Sequence, residues 1–291
     1  MIRFANYEDK QFVRQMWENC FNDTEEFIDL YFSEIYKCEN TLIYFEENQH
    51  AASLQLLPYF FTFYGYEIPV YYVSGACTLL EFRKKGYMGK LLLKTFDVLK
   101  QRNISLLLVI PAEKVLFDYY KKFGFETVFK SAAKSQFLKN ILNEAVTDFD
   151  KAYNRFDKFF RKKDFSIQKS KADFETIVKD AKLTTTPPKL NLSGMARIVN
   201  VEFLLSLYAV KNPNKSFSIE LNDSILQYNN STFYINKGNC CQTKMQTPDC
   251  LKININDLCS LLFGYDLDNF PNNSVSQYFE SHETILNLML E

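Results

Sequence analysis

The sequence predicts an α+β (mixed α/β) protein built in two unequal parts. Three observations predict it. Through the first 140 residues, short apolar strand-like runs are interleaved with stretches of helical period. A composition break follows: residues 140–183 are charged and helical in pattern, and Thr-Thr-Thr-Pro-Pro-Lys-Leu at 184–190 reads as a linker. From Ser193 a smaller set of helices and short strands resumes.

The elements are expected in this order. Met1–Ala5 is a short strand. Glu8–Phe21 is an amphipathic helix with Phe12, Val13, Met16 and Trp17 on one face, and Asn22 or Asp23 caps a second helix, Thr24–Tyr36. Thr41–Phe45, Ala51–Phe63 and Pro69–Leu80 are strands, with turns at Glu46–Gln49 and around Gly65. Tyr87–Lys100 is a helix, since Met88, Leu91, Leu92, Phe96 and Leu99 recur at helical spacing. Ile104–Ile110 has the length and continuous apolarity of a buried strand and is stopped by Pro111. Glu113–Lys122 is a helix, then Phe125–Phe129 and Lys134–Leu138 are strands. Beyond the linker, a helix near Val201–Val210 precedes strands at Ser216–Leu221, Ser224–Tyr228, Ser231–Ile235 and Leu251–Ile255. A helix over Asn256–Phe263 follows. The domains expected are 1–140, a reduced middle segment at 141–190, and 191–291.

Composition narrows the function. The 291 residues carry 34 Lys+Arg against 35 Asp+Glu, so no global field steers the chain to nucleic acid. Aromatic residues make up 16 %, which predicts an aromatic core and aromatic-lined pockets. Seven cysteines without framework spacing and only two distant histidines predict free thiols in a reducing cytoplasm and no zinc site. The N-terminus is too polar for a secretory h-region, and Ala51–Val73, with Gln55, Glu67, two prolines and Gly65, reads as strands rather than a membrane span.

One stretch carries chemistry: Thr78-Leu-Leu-Glu-Phe-Arg-Lys-Lys-Gly-Tyr-Met-Gly-Lys-Leu-Leu92. A strand ends, a basic turn with glycines follows, and a helix begins. The first turn of a helix presents free N–H groups and a partial positive charge. Gly86 and Gly89 allow close approach to the backbone, and Arg83, Lys84, Lys85 and Lys90 add charge, so the turn suits a pyrophosphate. It matches neither the P-loop nor the dinucleotide GxGxxG pattern. A solvated basic turn before a surface helix is the plain alternative.

The segment resembles motif A of the GNAT N-acetyltransferases, [RQ]-x-x-G-x-[GA], with Arg83 and Gly86 in register and Met88 at the place of the last small residue. Phe117-Asp-Tyr-Tyr-Lys-Lys-Phe-Gly-Phe125 is similar to the family's Y-x-x-[LF]-G-F signature. A bulky residue at Met88 is also found in the enhanced-intracellular-survival (Eis-like) branch. There a GNAT domain is joined to a second GNAT-like domain and a sterol-carrier-like C-terminal domain. Asp150–Glu175, Met195–Leu204 and Ile253–Gly264 resemble segments of those later domains, which makes 140–190 a reduced remnant of the middle one.

The resemblance implies a GNAT acyl-CoA N-acyltransferase fold followed by a smaller sterol-carrier-like α+β domain. It implies acetyl-CoA as cofactor and a primary amine, on a small molecule or a lysine, as acceptor. The amine would attack the thioester directly. Ala76, Cys77, Thr78 and Leu79 would hold the pantetheine and polarise the carbonyl. Arg83, Lys84, Lys85, Gly86, Tyr87, Met88 and Gly89 would hold the pyrophosphate. Tyr120 would protonate the departing thiolate, with Tyr119 the adjacent alternative. In the Eis-like branch the terminal carboxylate takes the amine proton, which points to Glu291, with Glu81 the weaker candidate. A lipid or hydrophobic-ligand binding protein, or a non-catalytic acyl-CoA-binding module, are the rival readings. No nucleic-acid, membrane or metal partner is expected, and a homo-oligomer is left open.

Overall fold

A computed structural model describes residues 1–184, 186–243, 250–270 and 276–289. In chain order, β1 (Ile2–Phe4) leads into α1 (Asp9–Cys20) and α2 (Glu25–Glu34), then β2 (Thr41–Glu46), β3 (Gln49–Phe63) and β4 (Tyr66–Thr78). Next come α3 (Tyr87–Gln101), β5 (Leu106–Val109), α4 (Lys114–Lys121) and β6 (Glu126–Phe129). The middle of the chain forms α5 (Gln136–Glu144), α6 (Phe149–Phe160), β7 (Ser166–Gln168) and α7 (Lys171–Ala181). The last part forms β8 (Gly194–Ile198), α8 (Val201–Lys211), β9 (Ser216–Asn222), β10 (Thr232–Asn236), β11 (Asn239–Thr243), β12 (Leu251–Asn254) and α9 (Ile255–Phe263).

The main sheet runs β1-β2-β3-β4-β5-β8-β6, and β7 pairs with the far half of β3. The β3–β4 hairpin is long because it turns through Tyr64 and Gly65, both at positive φ, and then pairs continuously from Phe63↔Tyr66 to Leu57↔Tyr72 and beyond. β4 and β5 are parallel, joined by the crossover helix α3. β8, from beyond the expected boundary at 190, lies antiparallel between β5 and β6. The first sheet therefore takes one of its inner strands from residue 194 onward. A second sheet, β11-β10-β9-β12, lies in the last part of the chain.

The faces of the main sheet are covered differently. α3 buries Leu91, Leu92, Phe96 and Leu99 against Leu54, Leu56, Leu107 and Val109 on one face. On the other face, α1 and α2 pack Trp17, Tyr31 and Phe32 beside Ile43 and Phe45. Also on that side, Leu57, Phe61, Phe63, Leu106 and Leu108 share a core with Leu258, Leu262 and Phe263 of α9 and with the second sheet. α5, α6 and α7 enclose a smaller phenylalanine-rich core.

Two expected strands are corrected. Lys134–Leu138 is instead the approach to and start of α5. Ser135 caps that helix by accepting from the Leu138 N–H, and Leu138, Ile141 and Leu142 are buried at helical spacing. Ser224–Tyr228 is a loop running into a 3₁₀ turn, because the Asp223 carboxylate accepts from the N–H groups of Ile225 and Leu226 and so removes them from any ladder. β7, β8 and β11 were not anticipated as strands.

Candidate active site

β4 and β5 stay paired only from Tyr71↔Leu107 to Val73↔Val109. β4 then continues to Thr78 along β3 alone, while β5 stops two residues before Pro111, so the two strands part. At the parting β4 bulges: the pairing passes from Gln55↔Ser74 to Ser53↔Cys77, which leaves Gly75 and Ala76 opposite Leu54. Gly75 has φ +56, and a Cβ there would lie 2.5 Å from the Trp17 ring, so the position demands glycine. From the bulge on, Ala76, Cys77 and Thr78 line the gap.

The basic turn forms the floor at one end. Lys84 (φ 63) and Gly86 (φ 79) are both left-handed, and Gly86 is the N-cap of α3. The N–H groups from Gly86 to Gly89 have no acceptor within their own helix. No acidic residue stands in the first turn of α3, and Arg83, Lys84 and Lys85 are exposed around it. A Cβ on Gly86 would meet nothing within 4 Å, so its surface is open to a ligand. Arg83 folds back, its Nε donating to the Thr78 carbonyl at 3.0 Å, which pins the turn to the end of β4. Tyr87 stacks on Tyr44 of β2 at 4.2 Å and anchors the start of α3.

A cavity of about 450 Å³ joins these parts. It is lined on the strand side by Ala76, Cys77 and Thr78, and on the turn side by Arg83, Lys84, Gly86, Tyr87 and Met88. From α4 it takes Leu116, Tyr119 and Tyr120. Tyr120 is buried, packs edge-on against Phe125, and has its phenol pushed well above the ordinary tyrosine value, by burial first and by Tyr119 second. Burial pushes the half-buried Tyr119 to about 12. Both therefore keep their protons through the neutral range. The turn after Tyr120 is held from behind, where Asn256 of α9 donates to the Phe125 carbonyl at 2.7 Å and Arg197 packs against Gly124.

Of the residues expected to bind cofactor, Leu79, Lys85 and Gly89 do not line this cavity. The neighbour at Gly89 is the Phe123 ring, 3.0 Å from where a Cβ would stand, so that glycine lets the turn after α4 pack closely on α3. Glu81 is exposed on the 3₁₀ turn Leu80–Phe82 and does not line the cavity either. Glu291 lies outside the described residues. Sequence reasoning missed Cys20 and Phe21 at the end of α1, and Phe82, Ala112, Glu113 and Leu116. The i, i+3, i+4 spacing of Leu116, Tyr119 and Tyr120 was a usable signal for one helical face. Nothing local marks Cys20.

Residues 1–128 match the family described as acetyltransferase (GNAT) domain. The fold of the chain is that of a GNAT acyltransferase, and enzymes of that family use acetyl-CoA. Similarity to solved structures extends over nearly the whole chain. A GCN5-related N-acetyltransferase from Anabaena variabilis superposes with a TM-score of 0.69 at 14 % identity, over 99 % of this chain and 100 % of that one. Eis1 from Mycobacterium abscessus superposes with a TM-score of 0.70 at 10 % identity, over 99 % and 98 %. A probable N-acyltransferase from Enterococcus faecalis gives 0.65 at 13 %, over 98 % and 97 %. At these identities the likeness is one of fold. No curated protein matches the chain. Among the described residues no helix is long and apolar enough to cross a membrane.

Proposed function

We propose that this chain is an acetyl-CoA-dependent N-acetyltransferase of the Eis-like kind, acting on a primary amine of a small molecule or a lysine. The observation that carries the reading is a juxtaposition. The open, positively charged start of α3, the bulged end of β4 and the buried phenol of Tyr120 all face one cavity.

The residues fit the coenzyme. A diphosphate suits the free amides at Gly86–Gly89 and the cations of Arg83 and Lys84, because helix start and side chains have the same sign. A pantetheine arm has polar backbone at Ala76–Thr78 and apolar surface at Met88 and Leu116 to lie against. When bound, acetyl-CoA supplies the acetyl group as a thioester. The chain's own contribution is to position that group at the bulge, exclude water with Phe21 and Phe82, and hold a proton on Tyr120 Oη. A phenol that stays protonated at neutral pH can give its proton to a departing thiolate. Glu291 is kept as the proposed acceptor of the amine proton on the family resemblance alone. For 191–291 we propose the sterol-carrier-like role expected from the sequence, as a structural cover to the catalytic part rather than a lipid carrier.

The test is a panel of primary amines and lysine peptides incubated with acetyl-CoA, followed by release of free thiol. Thiol release dependent on one amine class, lost in Tyr120→Phe, supports the proposal. Bound lipid carried through purification, with no thiol released by any amine, would favour a ligand carrier instead.

A further inference from the structure

Cys20, the last residue of α1, and Cys77, at the β4 bulge, are 57 positions apart in sequence yet meet at the wall of the cavity. Both thiols line that wall, with Cys20 beside the carbonyl of the residue that follows Cys77. Cys20 donates to this Thr78 carbonyl at 3.6 Å, the same oxygen that takes the Arg83 Nε. Cys77 is buried and touches Ser53 Oγ at 3.4 Å, whereas Cys20 is half-buried and reaches the cavity.

We propose that Cys20 and Cys77 are a peroxide-sensitive thiol pair whose oxidation to a disulfide closes the coenzyme cavity. Two features suit the chemistry. The neighbouring Cys77 and the positive charge of Arg83 bring Cys20 down to about 7 against the opposing effect of burial, which favours its thiolate form. Cys20 beside it, and burial, hold Cys77 well up, so that it stays a thiol. The Cys20 thiolate attacks one oxygen of hydrogen peroxide. The O–O bond breaks, hydroxide leaves and is protonated to water, and a sulfenic acid forms. Cys77 sulfur then attacks the Cys20 sulfur. The S–S bond forms, and the hydroxide that leaves takes the Cys77 proton as a second water. Two thiols lose two electrons and one peroxide gains them.

The disulfide would fix the end of α1 against the strand segment that lines the cavity, and draw Cys20 away from the oxygen it shares with Arg83. The effect on binding rests on the acetyl-CoA reading, but the chemistry of the pair does not.

The full chain is treated with hydrogen peroxide, the remaining thiols are alkylated, and linked peptides are mapped by mass spectrometry. Acetyl-CoA affinity is measured by calorimetry before oxidation, after it, and after dithiothreitol. The expected result is a Cys20–Cys77 cross-link, an affinity at least about tenfold weaker, and recovery on reduction. Cys20→Ala and Cys77→Ala should each abolish both the cross-link and the sensitivity to peroxide. Over-oxidation of Cys20 with Cys77 left as a thiol, or a cross-link that leaves affinity unchanged, overturns the proposal. If the reduced protein fails to bind acetyl-CoA at all, the function proposed above falls. The pair is then judged by the cross-link, its presence supporting the thiol chemistry and its absence overturning it.

Discussion

Arg197 and Asp223 form an ion pair in which neither side chain has any exposed surface, with Nη2 2.8 Å from both carboxylate oxygens. Arg197 sits on β8, inside the main sheet, and Asp223 follows β9 in the second sheet. The guanidinium lies over the Phe96 ring of α3, and its Cζ is 2.8 Å from where a Cβ on Gly124 would stand. Asp223 also accepts from Asn229 Nδ2 and two backbone amides. The pair thus joins the last part of the chain to the turn that carries Tyr120.

Removing one partner leaves a buried charge uncompensated. Asp223→Ala is expected to cost about 3–5 kcal/mol in chemical denaturation. The double variant Arg197→Met/Asp223→Leu should recover only the part due to the unpaired charge, because the amides of Ile225 and Leu226 and the Asn229 side chain still lose their acceptor. An Asp223→Ala protein as stable as the wild type would mean that the pair is not closed in solution.

Gly86 separates backbone need from ligand contact. Gly86→Ala meets no neighbour, so it should cost only the left-handed strain of about 1–2 kcal/mol and still bind acetyl-CoA. Gly86→Glu sets a like charge against the diphosphate, worth several kcal/mol, and should weaken binding by at least about 100-fold. Equal affinities by calorimetry would place the diphosphate elsewhere.

Much of this turn was legible in the sequence because its signal is local. Gly86, Arg83 and the start of α3 fall within one short stretch, and Tyr120 lies next to a recognisable Gly124-Phe125. The rest depends on long-range pairing. Cys20 and Phe21 reach the cavity only because α1 packs across the sheet, and β8 acquires its place only when β5 and β6 accept it between them. Arg197 was illegible for a further reason: arginine is almost never fully buried, and its partner, Asp223, stands in the loop that follows β9 of the second sheet. Lys134–Leu138 misled because its few residues fit a strand until Ile141 and Leu142 extend the helical period.

Tyr120→Phe should lower kcat by roughly 100-fold while leaving acetyl-CoA affinity within about twofold. Burial, then Tyr119, raises the Tyr120 phenol, so the proton it donates is retained well past neutrality. The alkaline fall in kcat assigned to this acid should therefore begin above pH ~10, the ordinary tyrosine value. An alkaline limb near pH 8, or wild-type turnover in Tyr120→Phe, would remove the phenol from the acid role.

Lys169 is buried beside the Tyr59 ring, 3.9 Å from its centroid, and the Met289 thioether, with no carboxylate in ion-pair contact among the described residues. Burial lowers its ammonium to about 7 against a small opposing pull from Asp173. The unfolded chain binds this proton up to pH ~10.4, but the folded chain binds it only up to about 7. Stability should therefore rise with pH between those values. In Lys169→Met that pH dependence should disappear, with a higher Tm than wild type at pH 7. Parallel Tm–pH curves for the two proteins would show that Lys169 is solvated or paired.

The most direct measurement is a crystal structure of the chain grown with coenzyme A. The account predicts the diphosphate on the amides of Gly86–Gly89 and the pantetheine in the gap beyond Val73 and Val109, with its sulfur near Tyr120. Coenzyme A bound at another surface, with these amides still free, would contradict it.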